Sequence, residues 1–366
     1  MVIFLRIKNE FAKTLDWPLL CVVLALFLVS LCVLFSSSQG DMTKVVNQTK
    51  HFGVALILMW AVGKIPLGYL SRLALPLYIV AMVLLVLTAL IGDQAKGAQR
   101  WLDLQVIRIQ PSELMKIALP LMLAWYFDRY ERVLNLKHYF IAAILMVAPV
   151  ILILKQPDLG TSILVLASGF FVLFFAGISL RVLGFIVTIS VLVMPFAWSM
   201  LEPYQQTRVL TLLNPASDPL GAGYHTIQST IAIGSGGFWG KGWMEGTQSQ
   251  LNFLPEGTTD FVFAVLGEEF GFIGVLLIFL AYLVLVWRGL QIATRAPNVF
   301  SRLSGASITL TLFIYAFVNV GMVIGLLPIV GVPLPLISFG GSSAVTVLIG
   351  IGILMNFRAN RRLIQT

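Results

Sequence analysis

Residues 248–270, QSQLNFLPEGTTDFVFAVLGEEF, decide what kind of chain this is. Up to Asp260 the stretch is polar and rich in turn formers, and from Phe261 to Leu266 it is continuously apolar. A loop becomes a membrane helix here. Thr259 or Asp260 suits the N-cap, where a side-chain oxygen accepts from the unpaired N–H groups of the first turn. That reading makes Asp260 structural. The sharper one makes it a carboxylate held at the membrane–water boundary by a helix end, acting on a substrate from the aqueous side.

Composition supports the membrane. Of 366 residues 58% are apolar and 11% charged, against roughly 25% charged in a soluble domain. Helical runs that cross ~30 Å of hydrocarbon are expected at 17–35, 52–62 and slightly beyond, 73–91, from Pro111 onward, 138–154, 160–178, 182–200, 261–287, 303–326 and 343–357. The fold class is therefore all-α: one integral membrane domain, 1–366, with ten spans and a large outer loop, 201–260, between spans 7 and 8. The first run is too long for a signal-peptide core and lacks a small-residue cleavage site.

The formal charge of +8 does not point to nucleic acid, because the basic residues are scattered over loop ends, as membrane topology explains. Fifteen of the 24 Lys and Arg lie in the two tails and the loops on their side, and eight in the opposite loops. The positive-inside rule then puts both termini in the cytoplasm and Asp260 outside. Cys21 and Cys32 lie in one helix, too far apart for a disulfide. The three histidines are isolated, so no metal cluster is expected.

Three further outer segments carry unusual residues. GAQRWLDLQVIRIQPSELMKI, 97–117, holds an alternating piece that reads as a short strand or interfacial segment. It then enters span 4 with Pro111 in the first turn, Ser112 as cap, and Glu113 and Lys116 at i and i+3. These two form a structural ion pair, or else Lys116 and Arg100 present positive charge to an anion such as phosphate. KQPDLGTS, 155–162, is a tight turn with Asp158 or Thr161 as cap and Lys155 as a weaker anion contact. GVPLPLISFGGSSAVT, 331–346, breaks the helix at membrane depth, which is tolerated only inside protein or around a polar cavity. Its Ser338, Ser342 and Ser343 suit oxygen-rich ligands. In the large loop, Tyr224 to Ile233 reads as a short interfacial helix, and Phe238, Trp239 and Trp243 as membrane-surface anchors. GSGGFWGKG there fits no nucleotide loop, which excludes ATP binding.

GAQRWL, QPSELMKI, QPDLGTS, GSGG-W-GKG, LNFLPEGTTDFVFAVLGEE and PLPLISFGGSS, in this order, resemble the SEDS family (shape, elongation, division and sporulation) over nearly the whole chain. GAQRWLDL and LPEGTTDF look most like its elongation member, with the division member as near alternative. One departure is Gly257-Thr258 before Thr-Asp, where other members carry various residues. The resemblance implies a peptidoglycan glycosyltransferase that polymerises lipid II at the outer face of the inner (cytoplasmic) membrane. Its implied partners are a class B penicillin-binding protein transpeptidase and other elongation-complex membrane proteins. Asp260 matches the family's essential acid, and Arg100, Gln110, Ser112, Glu113 and Lys116 its cavity motif.

The implied reaction inverts an α-linked donor to a β-1,4 bond, with Asp260 as base. Lys116 and Arg100 would neutralise the pyrophosphate, with or without a divalent cation (Mg or Mn), and no cofactor is assigned. A lipid transporter, for which Glu268 and Glu269 inside span 8 are the main support, and a non-catalytic scaffold are the rival classes.

Overall fold

The computed structural model describes residues 15–95, 98–103, 108–200, 203–215, 218, 221–251, 253–254 and 256–360. The described chain is mostly helical. Long helices are α1 (Trp17–Ser37), α2 (Met42–Gly63), α3 (Leu67–Ile91), α4 (Pro111–Tyr130), α5 (Leu136–Lys155), α6 (Leu159–Phe175) and α7 (Leu180–Met200). After α8 (Pro203–Leu213), α9 (Ala222–Gly236) and the single turn α10 (Thr247–Gln250) come α11 (Val262–Thr294), α12 (Val299–Val323) and α13 (Gly341–Ala359). Six of these, α1, α3, α5, α11, α12 and α13, are long and apolar enough to cross a membrane.

The all-α expectation needs one correction. Three short strands, β1 (Asp93–Ala95), β2 (Ala98–Asp103) and β3 (Arg108–Ile109), form an antiparallel sheet between α3 and α4. This is the alternating stretch, whose middle, 104–107, lies outside the described residues. Period-2 patterning places side chains on opposite faces of a strand, and Leu102 is indeed buried while Asp103 is exposed.

Packing sorts the helices. α13 lies along α2, α3 along α4, and α12 against α4, α6 and α11. Small residues permit close approach: a Cβ on Gly352 of α13 would overlap the backbone oxygen of Met59 in α2. α4 and α12 form the centre of the bundle, with almost every α4 residue from Pro111 to Phe127 buried. Exposed Phe185, Leu192, Met194 and Phe196 place α7 at the periphery.

The expected single span 261–287 is divided. Gly271 has φ 63 and ψ −162, a glycine conformation, and separates two helices within α11. The glycine-rich loop after α9 fills the break. Lys241 and Gly242 N–H donate to the carbonyls of Glu268 and Glu269 (3.0 and 3.1 Å), and Phe272 and Ile273 N–H donate to those of Gly237 and Phe238 (3.0 and 3.3 Å). The broken ladder is thereby completed by a foreign backbone, as burial requires. GSGGFWGKG is thus an insertion motif.

Candidate active site

The site grows from the broken loop between α12 and α13. Its carbonyls lie at the depth of helices and need partners. Buried side chains from four helices supply them. Ser30 of α1 donates to Ile337 O (2.6 Å), Gln48 of α2 to Ser338 O (3.2 Å), Tyr282 of α11 to Pro335 O, and Asn319 of α12 to Val332 O (2.6 Å). Ser338 Oγ donates to Thr259 O at 2.6 Å and accepts from Leu334 N–H at 2.7 Å, while Phe339 N–H reaches Thr258 O at 2.9 Å. Loop 331–340 therefore holds the segment that carries Asp260. Ser338 is engaged within this scaffold, and Ser342 opens α13 half-buried.

Asp260 is not at the expected cap. The N-cap position of α11 falls to Phe261, which has no side-chain acceptor, and Thr259 Oγ1 donates instead to Glu256 Oε2 at 2.9 Å. Asp260 is half-buried, its backbone oxygen accepts from Asn319 Nδ2 at 2.9 Å, and a Cβ on Gly331 (φ +71) would lie 3.5 Å from its Oδ2.

The turn between α5 and α6 joins this assembly. Asp158 caps α6 by accepting from Thr161 N–H at 3.2 Å, and its second oxygen accepts from Gln110 Nε2 at 3.2 Å. Gly160 lies against the loop: a Cβ there would meet Val330 O at 2.9 Å. Arg100 of β2 donates to the carbonyls of Gln156 and Pro157, so its guanidinium clamps this turn. Lys155 is exposed at the last turn of α5.

Gln110, not Ser112, takes the N-cap position of α4, because Pro111 occupies the first helical position. Ser112 is buried and its Oγ has no partner. Glu113 and Lys116 form a buried ion pair at 2.7 Å, with side chains 10% and 4% exposed. Lys116 Nζ also sits 4.3 Å from the centroid of the Tyr315 ring, a cation–π contact. Tyr315 connects the parts: its ring receives Lys116, and the charges of Glu113, Asp260 and Asp158 act on its phenol.

The first three outer segments and the helix-breaking loop thus converge at one end of the bundle. Buried Ser112 Oγ, Glu113 Oε2 and Asn319 Oδ1 lack protein partners. Buried polar atoms in folded proteins are as a rule hydrogen-bonded, so these three are suited to water or a polar ligand. Sequence reasoning missed Asn319, Gln48 and Tyr315; a polar or phenolic residue within an apolar helix was the available signal. Among the described residues, no three His, Cys, Asp or Glu side chains converge to hold a metal ion.

Glu268 and Glu269 have a different use. Glu268 accepts from Lys241 Nζ (2.8 Å), Thr247 Oγ1 (3.1 Å) and the N–H groups of Gln248 and Ser249, and Glu269 accepts from Ser36 of α1. They bind the large loop and α1 to α11. His225 of α9 stacks on Phe261 with centroids 5.5 Å apart, one residue from Asp260. Burial holds its pKa below the usual histidine value, against the opposing charges of Glu256 and Asp218.

Residues 13–363 match the cell cycle protein family of FtsW, RodA and SpoVE. The chain is 48% identical to the peptidoglycan glycosyltransferase MrdB of Escherichia coli (strain K12), covering 96% of this chain and 95% of that one. It is 36% identical to a probable peptidoglycan glycosyltransferase FtsW of Trichlorobacter lovleyi, covering 95% and 94%. A solved peptidoglycan synthase complex, described as coordinating polymerization and crosslinking, contains a chain with TM-score 0.83 and 33% identity, covering 95% and 98%. The rod shape determining protein RodA of Thermus thermophilus gives TM-score 0.72 and 29% identity, covering 95% and 97%. The motif resemblance, the match along almost the entire chain and the shared fold have one meaning: this chain belongs to the FtsW/RodA/SpoVE family of cell cycle proteins, the SEDS family.

Proposed function

We propose that this protein is a peptidoglycan glycosyltransferase that polymerises lipid II into glycan strands during cell elongation. The observation that carries the reading is the convergence of Asp260 with the Glu113–Lys116 pair around Tyr315, in a chain whose relatives bear that name. The elongation role is favoured by 48% identity to MrdB against 36% to an FtsW.

The reaction is a single inverting displacement. The acceptor's 4-hydroxyl oxygen bonds to the donor's anomeric carbon as the bond from that carbon to the pyrophosphate oxygen breaks. The hydroxyl proton passes to Asp260, and undecaprenyl pyrophosphate departs with the electron pair. General-base assistance contributes ~10²–10⁴ in rate. An aspartate with a reference pKa near ~3.9 is a weak base, so the proton moves late, as the hydroxyl acidifies in the transition state. Lys116 faces the developing pyrophosphate charge, and Glu113 orients Lys116 through their ion pair. Arg100 and Gln110 hold the 156–158 turn against the site. Ser112 and Ser342 offer hydroxyls to the ligand, Ser338 fixes the loop, and Lys155 adds positive charge at the mouth.

The orientation follows from the basic loops: ten spans in the inner membrane, both termini in the cytoplasm, the site outside. The natural partner is a class B penicillin-binding protein that crosslinks the new strands, a pairing supported by the synthase-complex likeness.

The test is polymerisation of purified lipid II by wild type and Asp260→Ala, each with and without the transpeptidase partner. Polymer from the wild type that disappears on substitution supports the reading. Equal polymer from both proteins moves the chemistry to the partner and leaves this chain a scaffold.

A further inference from the structure

The end of the bundle opposite Asp260 carries a second charge cluster. Asp16 caps α1 and is fully buried. Its carboxylate accepts from Leu19 N–H at 3.1 Å, from Arg288 Nε and Nη2 at 3.2 and 2.9 Å, and pairs with Arg358 Nε at 3.0 Å. Arg358 Nη1 also donates to Leu15 O at 2.8 Å, and Arg288 Nη1 to Gln291 Oε1 at 2.8 Å. One carboxylate ties together the ends of α1, α11 and α13.

Between the ends of α11 and α13 lies a pocket of about 40 Å³ lined by Arg288, Gln291, Ile292, Arg295 and Arg358. Three arginines line it, and Arg288 and Arg358 share the single carboxylate of Asp16, which leaves two positive charges in excess among these described residues. A structural clamp on Asp16 needs Arg288 and Arg358; it does not need Arg295, which is exposed. The planar donor fork of arginine matches phosphate oxygens. The space suits one phosphate group and is too small for a nucleoside. Trp17 and Trp287, adjacent in sequence to Asp16 and Arg288, are 57% and 58% exposed. Exposed indoles at the ends of membrane helices settle at headgroup level. They place the pocket at the lipid interface, where basic pockets between helices capture anionic headgroups.

We propose that this pocket binds the phosphate of an anionic phospholipid from the leaflet on the side of the chain termini. The lipid phosphate would complete the cluster that fastens α1, α11 and α13 to one another. The site is separate from the proposed catalytic one, and its test does not depend on glycosyl transfer or on which leaflet is cytoplasmic.

The experiment titrates the full chain in neutral detergent with phosphatidylglycerol, cardiolipin, phosphatidylcholine or inorganic phosphate, and reads thermal stability. Phosphatidylglycerol and cardiolipin are expected to raise the melting temperature, phosphatidylcholine and inorganic phosphate to leave it unchanged. Arg295→Gln, at an exposed position, is expected to weaken the anionic-lipid response roughly fivefold, the factor for one interfacial charge. An equal response to phosphatidylcholine, or an unaltered response in the variant, overturns the proposal. A shift from inorganic phosphate equal to that from the lipids assigns the pocket to a soluble anion and overturns it too. Native mass spectrometry of the wild type in an equimolar lipid mixture needs no variant: preferential retention of the anionic lipids supports the site, equal retention overturns it.

Discussion

Asn319 Nδ2 donates at once to the backbone oxygen of Asp260 (2.9 Å) and to that of Val332 (2.6 Å). One amide group therefore sets the position of the proposed base relative to the broken loop that faces it. The side chain is fully buried, so no water replaces it without a cavity. Asn319→Ala is expected to lower stability by about 1–3 kcal/mol, the penalty of orphaned buried acceptors. Polymerisation should fall by roughly 10²-fold, because a small displacement of a reacting group is enough for that. Melting in detergent and lipid II turnover check the two effects. Full activity in a destabilised Asn319→Ala would show that Asp260 is positioned by other contacts.

Lys116 and Glu113 are each at least nine-tenths buried in their side chains. Removing one charge strands the other, which for a buried pair destabilises by about 3–5 kcal/mol, whereas removing both is close to neutral. Lys116→Met should therefore reduce expression and melting temperature, and adding Glu113→Met should restore them. Catalysis should not return with stability if Lys116 meets the pyrophosphate. Wild-type turnover in the stable double variant would make the pair purely structural.

The features legible in the sequence were those the bilayer enforces locally. Apolar run length marked the helices, and prolines and glycines marked 331–340 as a break. The i, i+3 spacing announced the Glu113–Lys116 pair. Ser112 was misplaced as a cap because proline at the first helical position moves the cap to Gln110. The break at Gly271 was hidden because glycine is common inside membrane helices, and only the distant 237–242 backbone makes the break affordable. Ser30, Gln48 and Tyr282 lie far along the chain from the carbonyls they satisfy, and single-residue spacing carries no such information. Arg100 gave its charge away but not its partners, the two turn carbonyls.

Gly240 and Gly271 test the insertion motif. A Cβ on Gly240 (φ +84) would overlap Glu269 O, and one on Gly271 (φ +63) would lie 2.7 Å from the Trp239 carbonyl carbon. Both positions also lie in the left-handed region that L side chains resist. Gly240→Ala and Gly271→Ala are expected to prevent accumulation of folded protein, by about 3 kcal/mol or more each from strain and overpacking. Gly68→Ala is the control, since nothing lies within 4 Å of its added methyl. That substitution should be neutral or slightly stabilising, as alanine is about 1 kcal/mol better than glycine in a helix. Detergent-resistant folded yield by fluorescence-detected chromatography separates the cases. Normal yield from Gly240→Ala would mean that the 237–242 backbone docks less closely on the break.

His225 makes the fold sensitive to acid. Its ring stacks on Phe261, its Nδ1 is buried without a partner, and burial lowers its pKa from the ordinary 6.5 despite Glu256 and Asp218 nearby. A histidine with a lowered folded-state pKa binds fewer protons folded than unfolded, so stability rises with pH between the two values. Its contribution is complete above 6.5 and is lost as pH falls through the folded-state pKa. Melting temperature should therefore drop between about pH 7.5 and about pH 5.5, and His225→Gln should flatten that slope. Protonation puts a charge against Phe261, one residue from Asp260, so activity should decline over the same window and less steeply in the variant. Parallel melting and turnover curves for the two proteins decide the point: identical slopes would assign the acid sensitivity to other groups and leave His225 a packing residue.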